Sequence, residues 1–168
     1  MYIRKIKLND CTLMLDFFSK LVLLSPERVE RPEDVKKISI ENEIKWIKNR
    51  IEKEKEKEIF VLCGTNDKGE IIAEAEIERM PRWIEKHVAE IRFGVLPGYE
   101  NLAENITKKL ISVAKKNGIK ILIYFHLETQ KEGIKIIKKL GFKKFGIVKR
   151  YYKRHKNYIN RLYFVKYL

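Results

Sequence analysis

The segment Ile119–Leu127 is apolar almost without a break after Lys120. A strand of that composition is buried on both faces, so the chain around it must supply helices to cover a sheet. Helical periodicity stands on either side of it. Upstream, Leu102, Ala103, Ile106, Leu110, Ile111, Val113 and Ala114 fall on one helix face, which Asn117-Gly118 closes. Downstream, Gln130–Leu140 reads as a short helix stopped by Gly141.

The rest of the chain supplies the partners of this strand. Tyr2–Lys7 alternates apolar with polar side chains and reads as a first strand. Asn9 or Asp10 can cap the helix that follows, whose Leu13, Leu15, Phe17, Phe18 and Leu21 crowd one broad side. Ser25–Pro32 reads as a loop, and Pro32-Glu33-Asp34 and Ser39 mark further helix starts. A helix from about Glu41 to Lys55 follows, its charged continuation Glu52–Glu58 reading as a solvated end. Strands are expected over Glu58–Gly64, Glu70–Arg79 and His87–Val95, the first two joined by the turn Asn66-Asp67-Lys68-Gly69. Along Glu70–Arg79, Ile71, Ala73, Ala75 and Ile77 alternate with Glu74, Glu76 and Glu78. Two last strands, about Lys144–Tyr152 and Tyr158–Tyr167, flank the turn Arg154–Asn157. The order β, two helices, three strands, α, β, α, β, β predicts a mixed α/β (α+β) sheet in a single domain spanning 1–168.

The 168 residues suffice for one sizeable core, and no apolar run approaches the roughly 18 residues a membrane helix needs. No signal peptide is expected at the start, and Cys11 and Cys63 have no metal-type spacing, which points to free thiols in a cytoplasmic protein that holds no metal. Net charge is +14, unevenly placed: residues 1–103 are nearly neutral, whereas 104–168 carry 18 basic side chains against Glu104, Glu128 and Glu132. Such a field suits a polyanion or a multiply phosphorylated cofactor, and equally a lysine-rich solubilising surface. The terminal tyrosines and phenylalanines (Tyr151, Tyr152, Tyr158, Tyr163, Phe164, Tyr167) are expected to form one sheet face packed on the core, with base stacking on nucleic acid as the other possibility.

Four segments in order resemble the GNAT superfamily of acetyl-CoA-dependent N-acetyltransferases. They are His87–Pro97 with its Val95-Leu96-Pro97 ending, the long helix to Asn117-Gly118, the stretch Lys131–Phe142 ending Lys138-Lys139-Leu140-Gly141-Phe142, and the closing hairpin Gly146–Leu168. The resemblance implies a central sheet whose strands part after Gly94, flanked by helices. Acetyl-CoA would lie in that notch, its pantetheine on the backbone of Phe93, Gly94 and Val95 and its pyrophosphate on the next helix N-terminus. It implies an amine acceptor attacking directly, with Ser25–Lys37 and the terminal hairpin shaping its site, in a monomer or homodimer.

The chain departs from the family pattern in two places. The glycine-rich phosphate loop is replaced by Pro97–Asn105, where matching by helix face sets Gly98, Asn101 and Ala103 at the motif positions and matching from Pro97-x-Tyr99 sets Glu100, Ala103 and Asn105 there. Cofactor contacts are accordingly expected at Gly98, Tyr99, Asn101, Leu102, Ala103 and, in place of the family's asparagine, Gln130. Ile137 stands where many members carry the tyrosine that protonates the departing thiolate, which leaves Tyr124 as a substitute. The resemblance makes Glu90 the proton acceptor for the amine, usually through water. Glu90 can instead pair with Arg92 on the same face, and His87 faces the other side of a regular strand. Three functions fit: an N-acetyltransferase, a catalytically degenerate binding or regulatory protein of the same fold, and a basic nucleic-acid-binding protein.

Overall fold

The computed structural model describes residues 1–168 as seven strands in one sheet with five α-helices. In chain order these are β1 (Tyr2–Lys5), α1 (Cys11–Leu24), α2 (Pro32–Val35), α3 (Ile40–Lys55), β2 (Ile59–Thr65), β3 (Ile71–Arg79), β4 (Val88–Val95), α4 (Glu100–Lys116), β5 (Ile121–Leu127), α5 (Lys131–Lys139), β6 (Lys143–Arg154) and β7 (Asn157–Tyr167). The spatial order is β1-β2-β3-β4-β5-β7-β6, with β4 and β5 the one parallel pair. The mixed α/β sheet expected from the element order is the one observed.

Local chemistry sets the element ends. The Ser39 hydroxyl accepts from the Asn42 N–H and starts α3. Gly118 and Gly141 adopt φ of +82°, the left-handed conformation that ends α4 and α5. Of the two expected caps, Asn9 and Asp10, it is Asp10 that stands at the N-cap position of α1, but its carboxylate makes no capping bond there. It grips Arg4 through two bonds of 2.6 and 2.8 Å and accepts the Lys7 N–H, tying β1 to the start of α1.

Each face of the sheet is covered. Leu102, Ile106 and Leu110 of α4 press on β2 and β3, and a Cβ on Gly64 would meet Leu102 and Ile106 within 2.8 Å. The other face lies under α1 and α3, through Met14, Phe17, Leu21 and Ile47. This second face carries Glu74, Glu76 and Glu78, so the alternation along β3 marks two covered faces rather than one wet one. Glu76, 4% exposed, is admitted there because Arg50 at 2.9 Å and Arg92 at 3.2 Å neutralise it.

β4 and β5 pair only at Val88–Ile121, Ala89–Leu122 and Glu90–Ile123, and then separate. The parting therefore begins four residues before the expected Gly94. Each strand is held by its outer neighbour, β4 by β3 as far as Val95 and β5 by β7 as far as Leu127, and sheet twist carries the two ladders apart. The rings of Phe93 and Tyr124 stack at 5.5 Å across the opening.

The terminal hairpin corrects one expectation. Phe164 is fully buried, but Tyr151 on the edge strand β6, and Tyr158 and Tyr167 near the two ends of β7, are exposed. Arg150 and Lys153 lie over the Tyr158 ring instead.

Candidate active site

The opening between β4 and β5 leaves a row of backbone groups without partners. Leu96 N–H donates to Ile72 O and Met80 N–H to Val88 O, so the even-numbered residues of β4 bond β3. The odd-numbered ones turn toward β5, where His87 O accepts from Lys120 and Ile121. Past the Glu90–Ile123 pair that side has no strand to bond, and the N–H and C=O groups of Phe93 and Val95 face the gap.

A cleft of about 350 Å³ opens along this edge. Its walls include Phe93, Gly94 and Val95 of β4, Glu100 at the start of α4, His126 of β5, and Gln130 and Gly133 at the start of α5. Gln130, Phe93, Gly94 and Val95 are thus brought together as the sequence reading placed them. Gly98, Tyr99, Asn101, Leu102 and Ala103 lie just beyond the walls, in and before the first turn of α4. Leu102 and Ala103 turn their side chains into the core, leaving only backbone to offer a ligand. Gly98 takes φ of +89°, and its N–H donates to the Glu100 carboxylate at 3.0 Å.

Tyr124 and His126 project from β5 beneath α5. The Tyr124 hydroxyl is buried with no hydrogen-bond partner, and burial pushes its ionisation far upward. Burial likewise lowers His126 to about 3, keeping the imidazole neutral. Glycine at 133 makes this fit possible, since a Cβ there would stand 2.5 Å from His126 Nε2 and 3.2 Å from the Tyr124 oxygen.

On the face under α1 and α3 a second cavity, of about 490 Å³, runs from Trp46 to Gly94. It meets the cleft at Leu21, Arg28, Phe93 and Gly94. Glu90 lies on this face and is bound by Arg92 at 2.5 Å, the pairing that its position two residues away allowed. Arg92 also reaches Glu76 and Glu78.

A sequence profile described as "Acetyltransferase (GNAT) domain" matches residues 3–163. The chain belongs to the GNAT acetyltransferase family. No curated protein matches it by sequence. Solved structures similar in fold include a ribosomal-protein-alanine N-acetyltransferase from Brucella melitensis (19% identity, all of both chains, TM-score 0.83) and a GNAT acetyltransferase from Streptococcus pneumoniae (15%, 99% of both chains, 0.88). A phosphinothricin acetyltransferase from Sinorhizobium meliloti, solved in complex with AcCoA, is 15% identical over 99% of this chain and 88% of its own, with a TM-score of 0.81. At these identities the likeness extends to the fold.

The structure adds two residues to the candidate site that the sequence did not single out, although Arg28 lies within Ser25–Lys37, the loop expected to shape the acceptor site. Arg28, in the loop after α1, lines both cavities and is fixed by Glu30 at 3.0 Å and by Arg154 of the hairpin, which donates to its carbonyl. Glu74 of β3 faces Gly94 across the ladder and lines the second cavity. The resemblance pointed to the loop but not to the arginine in it, and nothing in an alternating glutamate announces a site. No group of three or more His, Cys, Asp or Glu side chains is arranged to hold a metal ion.

Proposed function

We propose that this protein is an N-acetyltransferase moving an acetyl group from acetyl-CoA to a primary amine by direct attack, without a covalent enzyme intermediate. One observation carries the reading: the two cavities meet at Phe93 and Gly94, beside a backbone edge that has nothing to bond. A molecule reaching in from the cleft and one reaching in from beneath α1 and α3 would touch at that point.

The residues present fit acetyl-CoA. The unpaired amides and carbonyls of Phe93 and Val95 suit the amide-bearing pantetheine arm. At the wider end, Gly98, Tyr99, Asn101, Leu102 and Ala103 would offer backbone N–H groups and the α4 dipole to phosphates, and Gln130 an amide. The Glu100 carboxylate now takes the Gly98 N–H and would have to swing out, while Lys131 at the cleft supplies compensating charge.

Acetyl-CoA supplies the activated acetyl thioester when bound. The chain does the rest. The N–H groups of Phe93 and Val95 stabilise negative charge that develops on the thioester oxygen. Glu90, anchored by Arg92 on the acceptor face, takes a proton from the amine through a water. Tyr124, the one buried hydroxyl beside Phe93 with no partner, donates to the departing sulfur. The second cavity and Arg28 shape the acceptor site. The whole chain, 1–168, acts as one domain, and its two free cysteines suit the cytoplasm.

Titration calorimetry with acetyl-CoA and a CoA-thiol release assay over a panel of primary amines test the reading. Binding together with amine-dependent thiol release supports it. Absence of heat at near-millimolar acetyl-CoA favours the degenerate, non-catalytic reading.

A further inference from the structure

The cavity beneath α1 and α3 holds charge in an unusual state. Its arginines are committed: Arg50 to Glu76, Arg92 to Glu76, Glu78 and Glu90, and Arg28 to Glu30. Two of its carboxylates, Glu43 of α3 and Glu74 of β3, have neither an ion pair nor a hydrogen bond. The walls around them combine Met14, Phe17, Phe18 and Leu21 of α1 and Trp46 of α3 with those already paired arginines and with Asn42. A partly buried carboxyl group whose neighbouring cations are paired elsewhere either keeps its proton or awaits a cation of its own.

Position singles out Glu74. It pairs with Gly94 across the β3–β4 ladder, and paired residues present their side chains on the same face. Along the strand direction it is therefore offset by about one residue, some 3 Å, from Phe93, on a neighbouring strand about 5 Å to the side, whereas Glu90 lies three residues, about 10 Å, away on β4 itself. Gly94 has no side chain to stand between, and a Cβ there would strike Leu21 at 2.6 Å.

We infer that Glu74 is the docking carboxylate for the acceptor and that the acceptor is a small primary ammonium with an apolar or aromatic body and no carboxylate of its own. The inference rests on the acetyl-transfer reading and names the substrate class of that site. Chemically it divides the protons. An ammonium must lose one proton before its nitrogen can attack, and the nitrogen loses a second once the N–C bond has formed. Glu74 takes the first, R–NH3+ and carboxylate becoming R–NH2 and carboxylic acid; Glu90, through water, takes the second. The departing thiolate takes a proton from Tyr124, and the transfer releases one proton overall.

The charge surroundings agree. Burial, and then the neighbouring Glu76 carboxylate, raise Glu74 to about 8, against the opposing pull of Arg50, Arg28 and Arg92. Cys63 of β2 stands across the ladder, Glu43 and Arg50 line the cavity from α3, Arg92 from β4, Arg28 and Glu30 from the loop, and α1 presents only apolar groups. Near pH 7 the empty site is largely protonated, so an arriving ammonium must expel that proton.

Phenethylammonium is the probe. Calorimetry at pH 7 in buffers of different ionisation enthalpy should show binding to the wild type with release of most of a proton. Glu74→Gln should abolish the release and weaken binding roughly tenfold to hundredfold, the range for losing a hydrogen bond to a charged group. Acetyl-CoA affinity should be unchanged, which also certifies the fold, and Glu74→Asp should restore the proton release. Phenylalanine, the same body with a carboxylate, should bind at least tenfold more weakly than phenethylammonium. No binding of phenethylammonium by the wild type, binding without proton release, or equal binding by Glu74→Gln would overturn the inference. Failure of the acetyl-transfer reading would register separately, as no affinity for acetyl-CoA.

Discussion

Tyr124 joins two properties that pull in opposite directions. Its ring is packed between Phe93, His126 and Phe164, yet its hydroxyl is sealed in without a partner. An orphaned buried hydroxyl costs about 1–3 kcal/mol. Tyr124→Phe is therefore expected to stabilise the fold by about 1 kcal/mol in urea melts while slowing acetyl transfer, a gain in stability bought with a loss of function. Glu90→Gln should lower kcat about a hundredfold, the scale of one general base, with acetyl-CoA affinity nearly intact; unchanged turnover removes Glu90 from the mechanism. Glu76 answers to stability instead. Its replacement by alanine leaves Arg50, itself mostly buried, without its carboxylate and is expected to cost about 3 kcal/mol.

Among elements, α5 shows how tightly one helix can be committed to the site. Gly133→Ala would ordinarily favour a helix by about 1 kcal/mol. Here the added methyl runs into the buried His126 ring and the Tyr124 oxygen, so the substitution is expected to destabilise by about 1–3 kcal/mol, read as a lower Tm, and to narrow the cleft. The elements themselves were legible in the sequence. Helix faces such as Leu102–Ile106–Leu110 and the stops at Gly118 and Gly141 each rest on a periodicity or a turn residue that acts locally. By contrast β5, expected to be buried on both faces, is buried only at Leu122, Tyr124 and Leu127, and the strand buried throughout is β2. The gap was legible only through resemblance, and its start was misplaced: where β4 leaves β5 depends on ladders to β3 and β7, which no local pattern records. The hairpin tyrosines misled for a similar reason. Alternation tells which side chains share a face, but whether that face is covered depends on which helix packs over the hairpin, and only its turn end, at Arg154, meets the loop after α1.

Across the whole molecule, charge is sorted by partner. Most acidic groups of the first 103 residues are engaged in ion pairs, whereas among the basic residues of 104–168 only Lys135, Lys139 and Arg154 have one. The unpaired lysines leave a positive field on the α4, α5 and hairpin side, and acetyl-CoA affinity should weaken several-fold between 50 and 500 mM salt as that field is screened. Two partly buried groups shape stability against pH. His126 is held far below its unfolded value near 6.5, so its contribution is full above that pH and is lost as pH falls toward 3. Glu74 is raised, so its contribution is full below about 4.5 and is lost as pH rises through about 8. Glu74→Gln should consequently stabilise the protein at pH 9 but not at pH 4, read as a higher Tm at the alkaline pH alone.

All of this turns on whether the parted strands hold acetyl-CoA against the β4 edge. Amide hydrogen exchange followed residue by residue, with and without acetyl-CoA, tests that directly. The Phe93 and Val95 amides should exchange quickly in the free protein, because they lack partners, and become protected on addition of acetyl-CoA, while Arg92 and Gly94, bonded to β3, are slow throughout. Protection of Phe93 and Val95 already present in the free protein, or no change at either when acetyl-CoA is bound, would contradict the account.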